Sequence, residues 1–338
     1  MTSADLTNPI FSDEAAARAH FEKLRWEGGV PVCFHCGVIG DAAPVKRDEA
    51  HAEAQKKAGK KTARDGLYYC RSCKRNFTAT MGTVYEDSHL PLNKWMLATH
   101  LMNSCKRGIS AAELQRLLGL GSYRTAWFMA HRIREAMNGE GSGPLGGPGM
   151  IVEADETYYG KVDEPRTTRT SGKPFKGGKK TGSGASNKRA VVALVERGGK
   201  SKVFHVGNAD KETVAKLIVE NVRPETRLHT DESKLYRGAE AHTATHETVK
   251  HSAGEYARDD VHTNSAEGFF GQFKRGMNGV YGHCGEKYLG RYVKEFEFRH
   301  NHRVKLGVSD KERAALAVKG AVGKRLVLRQ PQGVKAAS

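Results

Sequence analysis

The sequence predicts an α/β protein in which a mixed β-sheet domain follows two small N-terminal modules. Three observations carry that prediction. Two CxxC pairs, Cys33/Cys36 and Cys70/Cys73, sit early in the chain. Helical patterns separated by glycine follow them, between Pro91 and Met137. Beyond a glycine-rich break, three strand-like runs, one amphipathic helix and a further strand succeed one another, which is the order of a mixed sheet.

Length and charge bound the function. A chain of 338 residues with 38% apolar residues is long enough for two domains and a sizeable core. Its 55 Lys and Arg against 38 Asp and Glu give a net charge of +17. Such a surface attracts a polyanion, because each phosphate it neutralises releases counterions; an acidic membrane is the other attraction. No segment reaches the ~18 apolar residues that span a bilayer. The first 25 residues carry acids where a secretory signal needs basic and then apolar residues, so a cytoplasmic location is expected. Six cysteines, four of them in CxxC pairs, argue for metal rather than disulfides.

After an N-terminal segment (1–22), containing a short helix from Pro9 capped by Ser12, comes the cysteine module (23–88). Cys33, Cys36, Cys70 and Cys73 make a tetrahedral Cys₄ site for one structural Zn²⁺, a zinc ribbon. The 33 residues between Cys36 and Cys70 exceed the usual spacing, and the excess is an inserted loop at 41–65. A helix from Pro91 to Ser104, a second opened by the capping box Ser110-Ala-Ala-Glu113, and a third from Ser122 to Met137 form a helix-turn-helix region (89–138). Tyr123, Arg124 and Thr125 fall at the N-terminal end of the last helix, where a recognition helix meets base edges. A plain three-helix subdomain is the bland alternative. The glycine-rich linker (139–149) ends this half.

Strand Met150–Tyr159 opens the third module (150–303). A basic loop follows (161–189), with nine Lys or Arg against two acids; its Lys176, Lys179 and Lys180 are candidates to lie along DNA phosphates. Strands Ala190–Val195 and Lys202–Val206 form a hairpin, helix Lys211–Val222 crosses over, and Thr226–Thr230 leads into Asp231. A strand at His246–His251 precedes the helix beginning near His262, and Glu286–Asn301 forms a last helix. From Val304 apolar periodicity fades, so the basic tail (304–338) is expected to be partly disordered.

The helix after His262 carries the chemistry. Ala266, Phe269, Phe270, Phe273 and Met277 gather on its apolar side, while Asn264, Glu267, Gly271 and Lys274 gather on the other, Gly271 leaving room for a substrate backbone. Asp155 lies mid-strand in IVEADETYYG, where a carboxylate needs a cation or donors. Asp155, Asp231 and Glu267 are hard oxygen ligands of the kind Mg²⁺ prefers, and two such ions (or Mn²⁺), roughly 3.5–4 Å apart, suit phosphoryl transfer on nucleic acid. By strand alternation Glu153 and Glu156 are expected on the face opposite Asp155. His251 and His262 are expected to be structural, and Arg299 and His302 to add phosphate contacts.

With 35 residues between Asp231 and Glu267, and Lys274 two turns further on, these residues resemble the DDE triad of insertion-sequence transposases and retroviral integrases. VEADETYYG, TDESKLY, VHTNSAEGFFGQFKRGMNGVYG and YLGRYVKEFEFRHNHR resemble more narrowly the bacterial transposases with an N-terminal zinc ribbon, over roughly residues 20–303. The resemblance implies an RNase H-like catalytic domain, divalent metal, binding of double-stranded DNA at the element's terminal repeats and target, and strand cleavage and transfer by a homo-oligomer. Lys274 and Arg275 would meet phosphates. Some members of that group carry Asn as the third ligand, so Asn264 is the alternative to Glu267, which is favoured because an amide does not neutralise metal charge. A nuclease that cleaves without joining and a catalytically inactive DNA-binding regulator are the competing functions.

Overall fold

The computed structural model describes residues 6–45, 65–139, 143–164, 167, 172–174, 187–255 and 257–327. Most of the expected insertion (46–64), and Lys176, Lys179 and Lys180 of the basic loop, lie outside the described residues. The chain divides into two compact units. One holds Met1–Ser104, Ala111–Met137 and Asp310–Ser338; the other holds Cys105–Ser110 and Asn138–Ser309.

In the first unit, a 3-10 turn at Pro9–Phe11 precedes α1 (Glu14–Arg25). The helix is capped by Asp13 rather than Ser12: Ala16 N donates to Asp13 Oδ1 at 2.6 Å, where a carboxylate also complements the helix dipole. Strands β1 (Ala42–Pro44), β2 (Leu67–Cys70) and β3 (Asn76–Thr78) form an antiparallel sheet in that order. Its small apolar side is aromatic: Trp26 packs against Tyr68 and Phe77 at 5.0 and 6.3 Å between ring centroids. Three helices follow, α2 (Leu92–Ser104), α3 (Ala111–Leu118) and α4 (Tyr123–Met137). Gly119, at φ +58°, ends α3 in a conformation that costs a glycine little. Ser122 Oγ caps α4 by accepting from Thr125 N at 3.1 Å.

The second unit is built on a five-stranded mixed sheet: β4 (Ile151–Lys161), β5 (Lys188–Glu196), β6 (Ser201–Val206), β7 (Arg227–Asp231) and β8 (Thr245–Val249), in spatial order β6-β5-β4-β7-β8. The first three strands run antiparallel to their neighbours; β4 pairs parallel with β7, and β7 with β8. Helix α5 (Lys211–Asn221) makes the crossover from β6 to β7. The sheet is covered on both faces by alternation along single strands. Val191, Ala193 and Val195 pack with Phe269, Phe270 and Phe273 of α6 (Asn264–Gly276) and Leu289, Val293 and Phe296 of α7 (Glu286–Asn301). Val192 and Leu194 pack on the other face with Val152, Ala154 and the α5 residues Val214 and Ile218.

Of the basic tail, residues 304–327 are described and carry regular structure that the fading apolar periodicity did not announce; 328–338 lie outside the described residues. That structure is a 3-10 turn (Val304–Leu306) and α8 (Asp310–Lys319), the latter within the first unit. Arg313, buried, donates to Asn103 O at 2.6 Å, and Ala317, Val318 and Ala321 are buried. A Cβ at Gly320 would lie 2.4 Å from Ala136 O, so only glycine permits that approach. The pattern escaped the sequence because it is inverted: Leu316 is 37% exposed while smaller residues are buried.

Candidate active site

Because Val152 and Ala154 face α5, the odd residues of β4 face α6. Glu153 and Asp155 therefore share a face, and the expectation that Glu153 points away from Asp155 is corrected: residues two apart in a strand lie on one side. Glu153 is fully buried. Its carboxylate accepts from Ser265 N at 2.6 Å, Ala266 N at 3.1 Å and Ser265 Oγ at 3.0 Å, closing the N-terminus of α6 onto β4. Arg197, in the β5–β6 turn, supplies the countercharge through Nε at 2.9 Å. The same guanidinium donates to Asp260 O at 2.8 Å and His262 O at 3.2 Å, and its Nη2 lies 3.1 Å from His262 Nδ1.

That clamp positions Glu267 one turn into α6, where Thr263 Oγ1 donates to its Oε1 at 3.1 Å. Asp155, two residues beyond Glu153, is half-buried; Asp231 ends β7, its Oδ1 accepting from Ser233 N at 3.0 Å. Burial first, then the negative charges of Glu156, Asp231 and Glu267, push the Asp155 carboxyl up to about 7. The structure thus brings Asp231 and Glu267 each within electrostatic reach of Asp155. Glu156 does face the other way, but it is not simply solvated: buried Tyr236 donates to its Oε2 at 2.7 Å, and burial raises both groups above their usual range.

Asn264, exposed like Glu267, lines a cavity with Ser265, Gly268 and Gln272, a lining that does not include Glu267. Lys274 opens into a cleft of about 590 Å³ with Tyr158, Lys161, Lys188 and Arg189. Arg275 is exposed and folds back on its own helix, its Nη2 standing 3.3 Å from where a Gly271 Cβ would be, so a guanidinium covers the room expected there. Arg299 is no phosphate contact: it is 8% exposed and paired to buried Glu295 at 2.7 Å. His302 is half-buried, its Nδ1 2.8 Å from Phe298 O. In the first unit, Tyr123 and Arg124 are exposed, whereas Thr125 is half-buried and engaged with Ser122 at 2.8 Å between hydroxyls.

The four cysteines close a site of their own, and among the described residues they are the only group of three or more Cys, His, Asp or Glu whose ligand atoms all lie within 4.8 Å of one another. Cys33 and Cys73 Sγ are 3.7 Å apart, as are Cys36 and Cys70 Sγ. A regular tetrahedron with Zn–S of about 2.3 Å has edges of about 3.8 Å, so the donor set fits zinc.

The comparisons decide the family. An ISXO2-like transposase domain matches residues 144–301, and a transposase zinc-ribbon domain matches residues 12–76. The chain belongs to the insertion-sequence transposases. A protein of the transposable element ISH50 from Halobacterium salinarum is 27% identical over 297 residues, covering 86% of this chain and 91% of that protein. In this transposase the ribbon sheet is three short strands beside the four cysteines, and its persistence is expected to depend on the ion. Removing zinc with a chelator should release one Zn²⁺ per chain and abolish the near-ultraviolet circular dichroism from the Trp26–Tyr68–Phe77 cluster, a coupling of binding to folding worth on the order of 10 kcal/mol in small zinc modules. Loss of the ion with that signal intact would mean the aromatic cluster holds the ribbon alone.

Proposed function

We propose that this transposase cleaves and joins DNA strands at the ends of its element, with Asp155, Asp231 and Glu267 as the catalytic carboxylates. One observation carries the reading: three acids from two strands and one helix share a site in which Asp155 is held up at about 7 by burial and its acidic neighbours. A carboxylate cluster of that kind is short of positive charge, and its oxygen-only donors suit divalent Mg²⁺ or Mn²⁺. When bound, two ions would supply charge stabilisation to the attacking and leaving oxygens of a phosphodiester. They would be shared along the cluster, so all three acids need not meet at one point. Glu267 is favoured over Asn264 as third ligand because Glu267 acts on Asp155 while Asn264 lines the neighbouring cavity.

The protein's own residues orient the strand. The exposed Lys274, Lys161 and Lys188 give the cleft beside Tyr158 a cationic lining suited to a phosphate backbone, whereas Arg189 is buried and paired to Asp163 at 3.2 Å. The order β6-β5-β4-β7-β8, with three antiparallel strands followed by two parallel additions, supports an RNase H-like catalytic domain. In this reading the ribbon and the α3–α4 helix-turn-helix bind the terminal repeats, Tyr123 and Arg124 meeting bases, and Lys176, Lys179, Lys180 and Arg275 add phosphate contacts. Two element ends require two active sites, hence a homo-oligomer on DNA. No helix among the described residues is long and apolar enough to cross a membrane.

The test is strand transfer on a labelled element-end duplex with Mg²⁺. Joined product should form with wild type, fall to background with Asp231→Ala and Glu267→Ala, and persist with Asn264→Ala. Cleavage without joining would identify a nuclease. Binding of the ends without cleavage under Mg²⁺ or Mn²⁺ would identify a DNA-binding regulator.

A further inference from the structure

The cavity that receives Asn264 has a composition of its own. It measures about 380 Å³, within the size range of small-ligand sites. Its walls are apolar: Val195, Phe269 and Phe296, all buried, with the His300 ring edge-on to Phe269 at 5.5 Å. Burial and Arg303 hold His300 down at about 4, so it adds an uncharged ring. Four cations stand on the lining: Arg299, which is paired to Glu295, and Lys106, Arg303 and Lys305, the two lysines exposed. The one acid there, Glu196, is turned to a backbone amide, Gly146 N donating to it at 2.8 Å.

Gln272 Oε1 is buried and finds no hydrogen-bond partner among the described residues. A buried amide oxygen left unpaired costs on the order of 1–3 kcal/mol, a cost that a donor entering the cavity would remove. Apolar walls, an amide able to give and take hydrogen bonds, and cations at the edge together suit a ligand that is a flat heterocycle carrying a phosphate. The cavity adjoins the DNA chemistry, since Gly268 of its lining follows Glu267 directly.

We propose that this cavity is a nucleotide subsite that takes up one unpaired base of the bound DNA, with Gln272 reading its edge and Lys106, Arg303 and Lys305 holding the adjoining phosphates. The inference rests on the transposase reading above. A base stacked in a duplex cannot enter, so the nucleotide is extruded or frayed from the element end at a cost of a few kcal/mol, offset by burial and the new hydrogen bonds.

The experiment places 2-aminopurine, whose emission rises on unstacking, at one position at a time across the terminal nucleotides of an element-end duplex, in magnesium-free buffer. Two variants accompany wild type. Gly268→Leu fills the cavity from a helical position where an added Cβ meets nothing within 4 Å and where leucine favours the helix, and Gln272→Leu removes the amide. In the wild-type complex, emission at one position should rise clearly above that at its neighbours, as its base leaves the stack. Both variants should still bind the duplex and lose that rise. Specific binding with no responsive position, or a rise unchanged in Gly268→Leu, overturns the subsite while leaving the transposase reading intact. If wild type prefers the element end no more than a scrambled duplex, the transposase reading falls, and the subsite with it.

Discussion

Asp155→Asn should abolish strand cleavage and, in magnesium-free buffer at pH 8, make the catalytic unit more stable than wild type. In the folded protein the Asp155 carboxyl titrates at about 7 against an ordinary value of 3.8. Below pH 3.8 both folded and unfolded chains hold the proton, and the group is neutral to stability. As pH rises towards 7 the unfolded chain gains by ionising while the folded one resists, so stability falls. Above 7 the loss is complete, at about 4 kcal/mol from 1.36 kcal/mol per unit. Asparagine keeps the shape and has no proton to lose, so the penalty disappears. His300 runs the other way: its folded value of about 4 lies below 6.5, so its contribution is full above pH 6.5 and is lost as pH falls towards 4. Both proteins share that residue, and their difference isolates Asp155. Urea unfolding at several pH values reads the effect: the gap between variant and wild type should be widest at pH 8 and close towards pH 4. Added Mg²⁺ should stabilise wild type and leave the variant unmoved. A variant less stable than wild type at pH 8 would mean that the folded chain favours the ionised Asp155 carboxylate, its pKa not being raised.

Much of this molecule was legible because its signals are local. The cysteine spacing specified the ribbon site, and the hairpin turn at Glu196–Gly199, the crossover helix and the segment bearing Asp231 each announced themselves by alternation, periodicity or punctuation. The apolar stripe of α6 correctly assigned Phe269, Phe270 and Phe273 to the core. What was not legible depends on contacts between distant segments. Nothing near Arg197 in sequence says that it meets Glu153 and the chain at Asp260 and His262. Burial of Arg299 follows from Glu295 being buried beside it, although an arginine four residues from a glutamate reads equally well as a surface pair. Asn264 and Glu267 sit one turn apart, yet three residues make a rotation of about 300°, and the remaining 60° is enough to leave only Asn264 on the cavity lining. Glu153 was within reach of the sequence, since its even spacing from Asp155 fixes their common face.

Glu153→Ala should therefore be the costliest single change near the site, although Glu153 is not one of the three proposed ligands. Its removal strips Arg197 of its carboxylate and leaves Ser265 N and Ala266 N without their acceptor at a buried helix end. Breaking a fully buried pair costs about 3–5 kcal/mol, and because Arg197 is 24% exposed the low end of that range applies here, most of the cost lying in the two helix amides left without an acceptor. Glu153→Gln keeps an oxygen for the helix amides and loses only the charge, so it should fall between alanine and wild type. Denaturant midpoints of the three proteins give the order. The clamp also joins the strand of Asp155 to the helix of Glu267, so loosening it should raise the Mg²⁺ concentration needed for half-maximal strand transfer in Glu153→Gln, at a temperature where that variant is fully folded. A merely structural residue would alter the melting temperature without moving the metal requirement. If Glu153→Ala costs less than about 1 kcal/mol, Arg197 and the helix end have found other partners, and the spacing of the carboxylates must be set elsewhere.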